Sequence, residues 1–271
     1  QLELTNNSAY SLTSTGNLWA GNVIIGNSTF RNSGNLMISS NLVVLSNGLF
    51  ESLNVLSVTG NMISNGGNII LNTNSQSNIL GLLNIDNSGN VNVLGEAQFG
   101  NVNIESGNLQ QGAGNLTISG NFSTNAIYTN IGGGTIELLS GNLTLNANTS
   151  YFDLGSGCLL VQDGNIVIND GSFYSGTGSW VTTDQIIPNS ASGNLIIGGF
   201  SSINEIIISS GVYEISSGVS QNISNFTLTG TGNLVLAENS TLTLSDLSVS
   251  SGNMSVFAGA NLSLTGNLNL Q

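Results

Sequence analysis

The chain has 271 residues, 39% hydrophobic and only 6% charged, with one Arg, no Lys and no His against fourteen Asp and Glu, a net charge of −13. That balance cannot build a phosphate-binding surface, which excludes nucleic acid as a partner, and it excludes attraction to anionic lipid for the same reason. Ordinary soluble domains carry about 25% charged residues, so the polarity here comes from Asn, Ser, Thr and Gly, and a weakly charged surface of that kind favours self-association.

The chain opens on Gln1 rather than Met, with no charged leader, which points to a processed, secreted N-terminus. Leu2-Glu3-Leu4 alternates as a short strand that either caps the fold or pairs with a neighbouring molecule. From Gly16 a unit repeats: Gly-Asn followed directly by Leu, Ile, Val, Met or Phe, sixteen times between Gly16-Asn17-Leu18 and Gly266-Asn267-Leu268. In Gly114–Phe122, Leu116 and Ile118 alternate with Thr117 and Ser119, the two-residue period of a strand with one buried face. The Gly-Asn pairs read as turns, because Gly tolerates positive φ and Asn tolerates the left-handed region. Regular Leu, Ile and Val spacing separates this chain from the disorder its polar composition would otherwise permit.

Val23-Ile24-Ile25, Leu42-Val43-Val44-Leu45 and Ile69-Ile70-Leu71 read as buried strands, and Asn90–Val93 and Asn101–Ile104 alternate cleanly. Turns are expected at Gly100, Gly107, Gly114 and Gly120, which leaves straight segments of about four to six residues. Residues 123–190 are less regular. They hold Gly132-Gly133-Gly134, many of the aromatics and Pro188, and mark a weak boundary inside one domain spanning 1–271.

Ile206-Ile207-Ile208, then Gly211-Val212-Tyr213, then Phe226-Thr227-Leu228-Thr229-Gly230-Thr231-Gly232 form an apolar triplet, a Gly-x-Tyr and a Leu-x-Gly-x-Gly. Over about thirty residues this resembles the pectate-lyase-like family of right-handed parallel β-helices, of surface or fibre type. The resemblance implies a fold that hosts enzymes, adhesins and viral tailspikes. Periodicity agrees: Phe30 and Phe50, then Phe152, Phe173, Phe200, Phe226 and Phe257, recur about once per coil and predict an interior stack. The fold class expected is therefore all-β, a single-chain parallel β-solenoid of about a dozen coils, roughly 50–60 Å long. Tandem β-sandwiches are the alternative.

The resembled lyases use Arg or Lys as base with calcium held by acids, and the hydrolases use clustered aspartates with His and a basic residue. Here Arg31 is the only basic residue, and without His or Lys no Ser-His, Cys-His or Lys nucleophile system can be assembled. A carboxylate pair drawn from Asp153, Asp163, Asp170 and Asp184 is the one remaining glycosidase arrangement; solvated turn acids are the plainer reading, and no catalytic residue is assigned. Asp163-Gly164-Asn165 and Asn169-Asp170-Gly171 offer oxygen ligands that suit Ca2+, yet they also read as Asx turns. No cofactor is expected. Thr227-Leu228-Thr229 and Thr241-Leu242-Thr243 raise ice binding. Trp19 and Trp180 are expected in the core or at an end cap, and Cys158 as a small buried hydrophobe. No apolar run reaches the ~20 residues of a membrane span.

What remains is a secreted structural protein of a cell or virion surface that assembles head-to-tail with itself into a filament, fibre or layer. Strand edges at Leu2, Leu4, Leu268 and Leu270 would carry that assembly. The alternatives are a passenger segment of an adhesin, with surface glycans as partners, a viral fibre, or an ice-binding or carbohydrate-active β-helix. Asn-x-Ser/Thr sequons at Asn6, Asn27, Asn115, Asn121, Asn142, Asn148, Asn222, Asn225, Asn239, Asn253 and Asn261 are the glycosylation candidates.

Overall fold

The computed structural model describes residues 1–5, 7–12, 16–190 and 193–271. It is a parallel β-solenoid, built of strands with no helix among the described residues. Each coil lays down three short strands, one on each of three faces. On the first face Asn35–Ile38 stacks on Asn17–Ala20; on the second, Val23–Ile25 stacks on Leu2–Leu4; on the third, Thr29–Asn32 stacks on Ala9–Leu12. Thirteen strands form the third face. In several coils the first two faces fuse into one bent strand, as in Glu96–Ile104 and Trp180–Pro188. Twelve spacings of about 4.8 Å carry the third face over about 58 Å. Stacked parallel ladders of this kind rule out the sandwich alternative, whose sheets are antiparallel.

The two-residue period decides what is inside. On Leu36–Ile38, Leu116–Ile118 and Leu234–Leu236 the outer members are fully buried and the residue between them is not. The third face carries an aromatic column. Phe30 stacks on Phe50 with ring centroids 5.9 Å apart, Tyr128 on Phe152 at 4.3 Å, and Phe152 on Phe173 at 5.2 Å. Phe226 is buried too, but on the second face. Phe200 and Phe257 depart from the expected stack: both are exposed. Phe200 opens its strand in an outward position, one residue out of phase with the interior slots.

The Gly-Asn units also differ from expectation. The described non-Gly residues with positive φ are Asn7, Asn27, Asn47, Asn87, Ser88 and Asn239, and none is the Asn of a Gly-Asn-apolar unit. Gly100 lies within a strand and Gly107 begins one, rather than both being turns. The unit is instead a corner piece. Seven of the sixteen stand where the chain passes from the first face to the second, six where it reaches the third, and three where it reaches the first. At the first corner the Asn side chain substitutes for a backbone carbonyl. The backbone N–H of Asn61 donates to Asn41 Oδ1 at 2.8 Å, that of Asn121 to Asn101 Oδ1 at 2.8 Å, that of Asn142 to Asn121 Oδ1 at 2.9 Å, and that of Asn165 to Asn142 Oδ1 at 2.9 Å. Glycine precedes because a Cβ there would strike the amide below. At Gly120 it would lie 2.4 Å from Asn101 Oδ1, and at Gly141 2.5 Å from Asn121 Oδ1. Elsewhere Asn amides pair side chain to side chain across coils, as Asn35 to Asn17 at 2.9 Å and Asn169 to Asn146 at 3.0 Å. The backbone N–H groups at the bend thus find partners within the fold.

Two interior tyrosines give a contrast that can be measured. Tyr128 O–H donates to Gln111 Oε1 at 2.5 Å, whereas the buried Tyr213 hydroxyl has no partner among the described residues. Leaving a buried hydroxyl unpaired costs about 1–3 kcal/mol, and a made hydrogen bond contributes about 1 kcal/mol. Tyr213→Phe is therefore expected to be neutral or to stabilise by up to about 2 kcal/mol, and Tyr128→Phe to destabilise by about 1–2 kcal/mol, in denaturant titrations. Burial pushes both phenols well above the ordinary range, Asp153 adding to the shift at Tyr128. A raised folded pKa means the folded state holds its phenolic protons where the unfolded chain, titrating near 10, has released them. Stability from this source is complete below about pH 10 and falls as pH rises beyond it. The doubly substituted Phe variant should move the alkaline unfolding midpoint upward.

Candidate functional site on the first face

The outer surface of the first face carries two hollows. One hollow of about 600 Å³ is lined by Gln76, Asn78, Gln98, Asn115 and Thr117 among others. A second, of about 640 Å³, lies further along the same face and includes Trp180, Thr182, Asp184, Ser202, Asn204 and Asn222. Trp180 and Phe200 are register partners on adjacent strands, their ring centroids 6.0 Å apart and their planes inclined by 35°. Both face outward, Trp180 46% exposed and Phe200 61%. Trp180 Nε1 donates to Thr182 Oγ1 at 2.9 Å, which holds the indole against its own strand. Asn204 Nδ2 donates to Asp184 Oδ1 at 3.1 Å.

The placement of both tryptophans corrects the expectation that they sit in the core or cap an end. Trp180 is an outward residue in the body of the rod, and Trp19 is 74% exposed on the first face, beside Met37. Cys158 is half-buried rather than core, and its register partner is Trp180. It opens its strand in the same outward position as Trp180 and Phe200 do, so the phase that exposes the rings exposes the thiol's side of the strand.

The four candidate acids are divided among the faces. Asp153 ends a third-face strand and accepts the Gly155 N–H at 2.8 Å; Asp170 accepts the Gly171 N–H at 2.8 Å at the corner leading to the third face. Asp163 and Asp184 share the corner between the first two faces, one coil apart. No group of three or more His, Cys, Asp or Glu able to hold a metal occurs among the described residues. In the two Asx segments the bonds run within the fold: Asn165 N–H to Asn142, and Asn169 Oδ1 accepting from Asn189 at 3.1 Å. Thr227 lies on the second face, and Thr241 and Thr243 on the first, so the two Thr-x-Thr pairs do not share a surface. Arg31 pairs with Glu51, Nε to Oε2 at 3.1 Å, on the third face.

Of the sequon asparagines, Asn27, Asn115, Asn121, Asn148, Asn222, Asn239, Asn253 and Asn261 are exposed, and Asn142 and Asn225 half-buried; Asn6 lies outside the described residues. Asn121 and Asn142 serve in the corner ladder, and Asn253 Nδ2 donates to Asn233 Oδ1 at 3.0 Å.

At the rod's ends the placement of the four edge leucines is uneven. Leu4 is buried and Leu2 partly so, packed against the core. Leu268 is 54% exposed and Leu270 69%, although Leu247, one coil earlier in the same column, is 6% exposed. Met254 and Val256, in register with the fully buried Leu234 and Leu236, are exposed as well. No helix among the described residues is long and apolar enough to cross a membrane. No family model, characterised protein or solved structure matches this chain.

Proposed function

We propose that this chain is an extracellular structural protein, a β-solenoid of the surface or fibre type that joins end to end with copies of itself by parallel strand pairing. One observation carries the reading: Met254 and Val256 keep the register of the buried Leu234 and Leu236, and Leu268 and Leu270 that of Leu247 and Val249, so this coil presents the apolar inward phase that a further coil, of this chain or of a copy, would cover. An open edge with a ready register is a template for another strand. Self-pairing meets little electrostatic resistance on a surface so sparsely charged. The same setting, outside the cell, suits a chain whose one cation leaves trypsin-like proteases a single site and whose exposed sequons are open to glycosylation.

The order of faces sharpens the proposal. The first strand, Leu2–Leu4, and the last, Leu268–Leu270, both belong to the second face. A copy that stacks in register on the Asn253–Val256 and Asn261–Leu264 strands brings its own Leu2–Leu4 strand to the position Leu268–Leu270 occupies. One of the two must give way, so the mating edges are those of the third and first faces. Electron microscopy over a range of concentrations should show fibres with an axial repeat of about 62 Å, thirteen strand spacings: the twelve within a copy and one across the junction. Met254→Lys with Val256→Lys should stop elongation, while trimming residues 265–271 should leave it at least as fast. Rods that stay single at every concentration would sink the reading. The passenger-segment alternative, in which the next coil belongs to the same chain, would then stand.

A further inference from the structure

We propose that the Trp180–Phe200 pair is a binding platform for a neutral glycan on the first face, where Trp180 lines a hollow with Asp184, Asn204 and Asn222 and Phe200 is its ring neighbour on the next strand. The interior of this protein has room for aromatic rings and uses it; six phenylalanines and two tyrosines are among its largest fully buried side chains. Two further rings, adjacent in register, are turned to solvent. Leaving them exposed forgoes the burial energy that the interior rings gain. Aromatic faces exposed beside convergent polar groups are the makings of a ligand site. The rings are one coil apart, about 4.8 Å along the rod, close to the length of a single sugar ring. Their flat faces suit the C–H faces of a pyranose.

The surrounding side chains fit hydroxyl groups. Thr182 and Ser202 flank the rings from the next outward position of each strand, and Asn222 continues that row. The Asp184 carboxylate and Asn204 amide form a coupled acceptor and donor at the rim. Charge selects among glycans. The one cation, Arg31, lies on the third face and is engaged by Glu51, whereas Asp163, Asp184 and Glu205 stand on the corner beside the hollow. An anionic polysaccharide meets only like charge there, so the occupant is uncharged. This site is independent of end-to-end assembly: it lies on the side of the rod, and its loss leaves the mating edges untouched.

The test uses tryptophan fluorescence on the full chain carrying Trp19→Phe, in which Trp180 is the only indole. Soluble xylan, mannan, β-glucan and α-glucan oligosaccharides are titrated, with polygalacturonate as the anionic comparison. At least one neutral glycan should shift the emission and shield Trp180 from acrylamide. Affinity electrophoresis of the otherwise unchanged chain should show Trp180→Ala and Phe200→Ser each weakening binding at least tenfold, with circular dichroism and fibre formation retained. No response to any neutral glycan overturns the proposal. So does unchanged binding by Trp180→Ala, or tighter binding of polygalacturonate.

Discussion

Phe152→Ala is expected to cost about 3–5 kcal/mol, the range for truncating a fully buried aromatic, while Phe200→Ala stays within about 0.5 kcal/mol. Phe152 is the centre of its column: it stacks on Tyr128 on one side and Phe173 on the other, and meets Phe122 edge-on from the second face with centroids 5.6 Å apart. Its removal opens a void bounded by three rings from the two flanking coils, Phe122 and Tyr128 from the one before and Phe173 from the one after. Those rings are tied to backbone already paired above and below, so the site collapses poorly and the cavity term is kept. A solenoid coil contacts chiefly its neighbours. The loss should therefore read out locally, as faster amide exchange through residues 127–130, 151–153 and 172–175, before the ends of the rod respond. Equal destabilisation by Phe152→Ala and Phe200→Ala would mean that Phe200 belongs to the interior column after all.

That pair of phenylalanines also marks where the sequence stops being legible. Strand existence, parallel stacking and the approximate coil length follow from the two-residue alternation and the recurrence of Gly-Asn. The inward phase within a strand follows as well, because in units such as Gly114–Phe122 the residue after Asn is apolar and points in. What spacing cannot carry is the assignment of a residue to a face. Coil length runs from the 18 residues between Asn17 and Asn35 to the 24 between Ile127 and Tyr151. A phenylalanine about twenty residues after the last is then as easily on another face, as Phe226 is, or outward, as Phe200 is. The immediate context held a usable sign: Phe200-Ser201-Ser202-Ile203 places its one aliphatic residue three positions after Phe200, so the two cannot share a face of the strand. The same parity puts Trp180 opposite Val181 and hence outside. Reading aromatic residues as core by type alone concealed the outward-facing Trp180–Phe200 pair. The role of the Gly-Asn unit was hidden for a different reason. Its glycine is required by an amide belonging to the previous coil, and nothing within the dipeptide reports that neighbour.

Gly164→Ala should destabilise by about 3 kcal/mol or more, although alanine is the smallest change available. A Cβ at this position would lie 1.9 Å from the Gly141 carbonyl oxygen and 2.6 Å from its carbon, and 3.2 Å from Asn142 Oδ1. The obstacle is backbone, so no side-chain rotation relieves it. Gly141 itself holds a φ of +86° and donates its N–H to the Asp163 carbonyl at 2.9 Å, which pins the lower coil from above. The only relief is to part the two coils at the corner, and that stretches the Asn165 N–H to Asn142 bond, on which the ladder depends. Gly178→Ala is the control. That glycine has a φ of +83° and nothing within 4 Å of an added Cβ. Its cost should be confined to the left-handed backbone penalty of about 1–2 kcal/mol. Asn142→Asp keeps the acceptor oxygen and should be milder than Asn142→Leu, which removes it and leaves the Asn165 N–H unpaired at a half-buried corner. Denaturant titration of the four variants ranks them. If Gly164→Ala proves no worse than Gly178→Ala, the glycine serves only backbone freedom, and the recurrence of Gly-Asn at this corner has some cause other than the contact between stacked coils.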